Sequence, residues 1–173
     1  MQSDAVAPEQ TRLNDAMRGT WLGEEWLQPT PWDPKGGHAI GRAQARTHLD
    51  GQILTCDYAE EREGDVVLRA HAVYAWDAAA GTYALFWFDT MLPVPRFAPL
   101  RGSWHGDVLE FEVETPLAAY RYRYAFTAAD YYEFRLEIKP LAMDDAGLVA
   151  ADQVGQWLLA LRGEYYRQVK GAA

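Results

Sequence analysis

Arg69 and His71 stand two apart in the run Val66–Trp76, so in an extended chain they project from one face. An arginine beside a histidine suits a carboxylate ligand. Tyr120, Tyr122 and Tyr124 repeat at the same interval, with Arg121 and Arg123 between them. Such a stripe offers an apolar wall whose hydroxyls need partners, as a ligand's polar end or water would supply. Tyr74, Trp76 and Trp87 are further aromatic ligand contacts. Asp89 joins Arg69, His71 and Tyr122 as the polar set that acid–base chemistry on a bound molecule would use. Each reading has a plainer alternative. If Val67, Arg69, His71 and Val73 face water, then Leu68, Ala70, Ala72 and Tyr74 are inside. The tyrosine stripe is also what ordinary core packing produces.

Other chemistry is thinly supported. The chain has no Gly-x-Ser-x-Gly, His-Glu-x-x-His, phosphate loop or dinucleotide fingerprint. His38 and His48 share a strand face, but at ~3.3 Å per residue they lie roughly 33 Å apart, too far for one metal. Cys56 is the one cysteine, which excludes an internal disulfide and a cysteine zinc site and reads as a small buried hydrophobe. No metal site and no cofactor are expected. The 25 Asp+Glu against 16 Lys+Arg leave a net charge of −9, which argues against nucleic acid or an anionic membrane surface as partner. No apolar run reaches the ~20 residues of a membrane helix. The first ten residues lack the features of a secretory signal, so the expected location is cytoplasmic.

The 173 residues suit a single domain. Pro8–Arg18 reads as a short helix. Beyond it the runs Thr20–Trp26, Ala39–Leu49, Gln52–Glu61, Val66–Trp76, Thr82–Thr90, Arg101–His105, Val108–Glu114, Ala119–Ala128, Tyr131–Lys139 and Gln156–Gln168 read as strands. Turn dipeptides separate several of them, among them Asp50-Gly51 and Gly106-Asp107. This predicts a mainly all-β fold, an antiparallel meander that closes into an up-and-down barrel. Tyr132, Phe134, Leu136 and Ile138 alternate with Glu133, Arg135 and Glu137, as a strand with one wet face requires. Thr82–Thr90 is apolar on both faces, so the N-terminal helix or a second subunit should cover its outside. Two Pro-rich stretches, Gln28–Gly37 and Pro93–Pro99, read as loops, open between lids at the barrel mouth and plain surface excursions. Leu141–Asp152 is open between a long hairpin loop and a short helix.

Gly19-Thr20-Trp21 opens the first strand. With Leu49-Asp50-Gly51, Tyr74-Ala75-Trp76-Asp77, Tyr83…Trp87-Phe88-Asp89, Gly102-Ser103-Trp104 and Trp157…Gly163-Glu164-Tyr165-Tyr166-Arg167, it spans nearly the whole chain. In this order the pieces resemble a bacterial family of uncharacterised proteins, a domain of unknown function among the calycin-like barrels with lipocalins and fatty-acid-binding proteins. The resemblance implies a barrel of eight to ten strands with a cavity, and no activity. It also implies structural roles: Gly19 and Trp21 seal the barrel floor, and Arg167 lies across Trp21 in a cation–π contact. Gly19, Trp21 and Gly23 further match the start of nitrobindin, a haem-binding barrel whose iron ligand is a histidine near the C-terminus. The last histidine here is His105, so haem would have to fall to His71 or His105.

Three functions are carried forward. The first is binding of a small hydrophobic or amphipathic ligand in the barrel. The second is a cofactor-independent isomerase or cyclase using the aromatic pocket. The third is a dimerising module that pairs through Thr82–Thr90.

Overall fold

The computed structural model describes residues 5–30, 33–91, 98–142 and 150–169. Ten antiparallel strands close into a barrel: β1 (Gly19–Leu27), β2 (Gly37–His48), β3 (Ile53–Arg62), β4 (Asp65–Asp77), β5 (Thr82–Asp89), β6 (Leu100–His105), β7 (Val108–Glu114), β8 (Ala118–Ala128), β9 (Tyr131–Pro140) and β10 (Leu158–Arg167). Each strand pairs with its sequence neighbours, and β1 pairs with β10 to close the ring. Closure gives every strand a partner on both sides. The up-and-down barrel expected from the hairpin spacing is therefore the fold.

The strand boundaries differ from the sequence reading by a few residues. The change that matters for packing is in β10, which begins at Leu158 rather than Gln156. A register shift between Leu159 and Leu161 lets both Ala160 and Leu161 be buried. Trp157 is thereby left outside, where Arg121 lies 3.9 Å and Lys139 4.9 Å from its ring centroid. Of the ambiguous stretch Leu141–Asp152, residues 143–149 lie outside the described residues, and a short 3-10 turn spans Ala151–Gln153. In the two Pro-rich loops, residues 31–32 and 92–97 likewise lie outside them.

Helix α1 (Pro8–Met17) is ten residues long, too short to persist on its own in water. Contacts with the barrel hold it in place. Its buried Gln10 accepts a hydrogen bond from the Trp76 backbone N–H at 2.7 Å, and Asn14 donates to the Gly51 carbonyl at 2.8 Å. The Tyr83 hydroxyl donates to the Glu9 carbonyl at 2.7 Å. Arg12 lies 4.2 Å from the Trp104 ring centroid. Leu13 and Met17 face the core. The helix thus caps one end of the barrel. It does not cover the outer face of β5, where Phe86 remains 41% exposed.

At the capped end Trp21 is buried, and its Nε1 donates to the Met17 carbonyl at 2.8 Å. The Arg167 guanidinium sits 4.3 Å from the Trp21 ring centroid. It also donates to the carbonyls of Arg18, Ala16 and Ala129. Gly19, at φ +134, leaves the space that the Arg167 side chain crosses.

Candidate functional site

The two-residue period decides what each strand sends inward. From β1 these are Trp21, Gly23, Glu25 and Leu27. From β3 they are Leu54, Cys56, Tyr58, Glu60 and Arg62, and from β8 Tyr122 and Tyr124. The side chains do not fill the barrel. A cavity of about 310 Å³ runs from Met17 near the helix to Thr30, Asp33 and Met91 beside the two Pro-rich loops. That volume is at the small end of the ~300–1,000 Å³ typical of ligand pockets.

Its wall is a belt of aromatic rings in mutual contact. Tyr58 meets Trp87 at 6.1 Å between centroids, Trp87 meets Tyr122 at 6.2 Å, and Tyr122 meets Phe134 at 6.2 Å. Phe134 meets Tyr124 at 4.9 Å and Tyr124 meets Tyr132 at 5.9 Å. Tyr132 stacks nearly parallel on Tyr165 at 4.8 Å. Glu25 completes the circle. Tyr165 donates its hydroxyl hydrogen to Oε1 of Glu25, and the Tyr58 hydroxyl lies 3.0 Å from Oε1 and 2.9 Å from Oε2.

The backbone around Tyr165 is built to let its ring into the barrel. A Cβ on Gly23 would stand 2.7 Å from that ring and one on Gly163 2.8 Å from it, while one on Gly41 would stand 2.9 Å from Glu25. Glycines on β1, β2 and β10 therefore clear the path along which Tyr165 reaches Glu25.

Glu25 is 1% exposed. Burial raises its carboxyl to about 7, against the lowering effect of the Tyr165 and Tyr58 hydroxyls; the charge of Glu60 adds to the rise and that of Arg62 opposes it. Burial also pushes the Cys56 thiol up to about 12, and the phenols of Tyr74, Tyr122, Tyr124, Tyr132 and Tyr165 are raised mainly by the same desolvation. These tyrosines are neutral hydrogen-bonding groups at ordinary pH.

Nearer the mouth Arg62 bridges two carboxylates, with Asp33 at 2.6 Å and Glu60 at 2.6 Å. Partial burial acts to raise the Asp33 carboxyl, but the bond to Arg62, the Arg62 charge and the backbone N–H groups of Gly36 and Lys35 together hold it low. Asp89, also on the lining, accepts from Trp87 Nε1 at 2.9 Å.

The structure brings together five of the residues singled out by sequence: Tyr74, Trp87, Tyr122, Tyr124 and Asp89 all line the cavity. Tyr74 and Tyr124 place their hydroxyls 3.2 Å apart. Arg69 and His71 are a correction. Both lie on the outer face of β4 and are exposed, because Leu68, Ala70, Ala72 and Tyr74 take the inner positions. His71 Nδ1 lies 2.8 Å from Asp57 on the barrel exterior. Trp76 is a second correction. It points inward at the capped end, where it packs against Tyr83 at 4.9 Å, and it does not line the cavity. His38, His48 and His105 are exposed too, so no histidine reaches the interior, and His71 and His105 cannot serve a haem there. Glu25, Glu60 and Arg62 were missed. Once Trp21 is placed inside, Glu25 four residues on shares its face, and the same period carries Cys56 and Tyr58 to Glu60 and Arg62.

This chain, with one capped end and an aromatic internal cavity, is built on a closed, ten-stranded, antiparallel barrel. Rv2717c from M. tuberculosis has this fold, superposing with a TM-score of 0.61 at 16% identity over 95% of this chain and 100% of its own. So does CPES, an S-type phycobiliprotein lyase from Guillardia theta, with a TM-score of 0.63 at 11% identity over 92% of this chain and 93% of its own. At these identities the likeness concerns the fold alone. No protein-family model matches the chain. No curated protein matches it either.

Proposed function

We propose that the protein binds a small hydrophobic or amphipathic molecule inside the barrel, as the calycin-like resemblance of its motifs implies. The observation that carries this reading is the cavity itself. About 310 Å³ is left open inside a closed barrel, walled by Trp87, Tyr122, Tyr124, Phe134, Leu136 and Leu161. A core built only for stability would fill such a space, since interiors pack as densely as organic crystals. The buried carboxyl of Glu25 gives the apolar chamber one polar end, which orients an amphipathic guest.

The test is titration with 1-aminoanthracene, a compact aromatic probe that is uncharged at neutral pH. Its fluorescence should rise on binding and saturate at one molecule per chain. Ala43→Phe projects a ring into the cavity from β2 and should weaken binding at least tenfold. Unsaturable binding, or equal binding by Ala43→Phe, would refute the reading.

An enzymatic reading is the second candidate. It moves from Arg69 and His71, which are outside, to Glu25 with Tyr58 and Tyr165. A carboxyl held near 7 in a dry chamber is suited to proton transfer.

A further inference from the structure

Among the described residues, the carboxyl groups of Glu25, Asp33 and Glu60 line the cavity around one basic side chain, Arg62. The guanidinium is already engaged on two sides, by Asp33 and Glu60. Its charge is therefore spent within the wall rather than free to receive a ligand carboxylate. Glu25 is different. It is buried, its hydrogen-bond partners are the neutral hydroxyls of Tyr58 and Tyr165, the charges of Glu60 and Arg62 act on it without a direct bond, and among the described residues no basic group bonds to it. An ionised carboxylate accepts more hydrogen bonds than two tyrosines donate. Glu25 closes a belt of aromatic rings that includes Tyr58, Trp87 and Tyr122, and the faces of such rings attract cations.

From this we propose that the natural ligand is an organic cation: an amphipathic amine, primary or more substituted, whose apolar body lies against Trp87 and Tyr122 and whose ammonium group pairs with Glu25. The proposal rests on the reading of the cavity as a ligand site and names the class of molecule it takes. Glu60 favours the approach of a cation along the lining, and the belt and Glu25 hold it.

Ionisation of the site follows. The charged and titratable groups that face Glu25 are Tyr58, Glu60 and Arg62 from β3 and Tyr165 from β10; β2 presents only Gly41. Desolvation holds the empty site protonated to about pH 7, so the ammonium and the proton compete for the same carboxyl. Amine binding should strengthen as pH rises from 6 to 8, and binding of an uncharged analogue should not.

The experiment compares three matched probes by isothermal titration calorimetry: tryptamine, tryptophol and indole-3-acetate, which carry an ammonium, a hydroxyl and a carboxylate on one aromatic body. Tryptamine should bind at least tenfold more tightly than tryptophol, and indole-3-acetate more weakly than both. Glu25→Gln should cut the preference for tryptamine over tryptophol to less than threefold. Glu60→Gln, further toward the mouth, should lower tryptamine affinity by a smaller factor and serves if Glu25→Gln does not fold. Equal binding of tryptamine and tryptophol would overturn the cation assignment and leave the cavity reading standing. Preference for indole-3-acetate would overturn the assignment outright. Failure of all three, with 1-aminoanthracene also unbound, would remove both readings together.

Discussion

Tyr165 on β10 donates its hydroxyl hydrogen to Glu25 on β1, across the seam where the last strand of the barrel meets the first. The seam that completes the fold is therefore also where the interior carries its buried carboxyl. Closure and site share these residues, and variants at the seam should separate the two roles.

Stability should depend on pH through Glu25. Its folded carboxyl is raised to about 7 from 4.5. The folded state thus holds the proton more tightly than the unfolded chain, and stability falls as pH rises from about 4.5 to about 7, then levels off. The full effect is about 3 kcal/mol. Chemical denaturation of the native protein and Glu25→Gln should give equal stabilities near pH 4.5, with the variant pulling ahead by pH 8. A difference that does not change with pH would contradict this.

Gly41→Ala should damage the site more than a single methyl group suggests. The new Cβ would stand 2.9 Å from Glu25 and closer still to the Tyr165 hydroxyl. Overpacking of this kind costs ~1–3 kcal/mol. The pH-dependent difference just described should grow in the same variant, because pushing Tyr165 off Glu25 removes a hydrogen bond that lowers its carboxyl. Denaturation curves across pH measure both.

Arg167→Ala removes a guanidinium that lies 4.3 Å from the Trp21 ring centroid and donates to three carbonyls at the capped end. A loss of about 2 kcal/mol is expected from the stacked cation and its hydrogen bonds. At ~2–4 °C per kcal/mol for this size, Tm should fall by about 4–8 °C. Affinity for 1-aminoanthracene should stay within twofold of native. An unaltered Tm would dismiss the pairing as a source of stability.

Cys56 should be inert while the barrel is folded. Its side chain is buried on the cavity wall, and desolvation pushes the thiol up to about 12, so almost no thiolate exists at neutral pH. Mass spectrometry should find no alkylation by iodoacetamide under native conditions and complete alkylation in denaturant.

Much of the barrel could be read from the chain because strand patterns are local. Tyr132, Phe134, Leu136 and Ile138 alternate with charged residues, and Gly106-Asp107 marks its hairpin without reference to the rest of the fold. Which face of β4 points inward was not local, since Arg69 and His71 alternate with apolar residues on either choice. Closure decided it, by turning Leu68, Ala70, Ala72 and Tyr74 inside. Glu25 was hidden for a related reason. In Gly23-Glu24-Glu25-Trp26 two acids are adjacent, and only the parity set by Trp21 distinguishes the buried one from the exposed one. The shift between Leu159 and Leu161 could not be read, because a bulge breaks the period that reveals a strand. The partnership of Glu25 with Tyr165 spans 140 positions and exists only once β1 and β10 have met.

The central claim is that the barrel encloses a ligand chamber. Native mass spectrometry tests it most directly: the purified chain is refolded without ligand, exposed to an organic-soluble extract of its host cells, desalted and weighed. The account predicts one retained small molecule per chain, released by unfolding and absent from Ala43→Phe treated in the same way. The bare polypeptide mass in every preparation, or an identical adduct on Ala43→Phe, would contradict it.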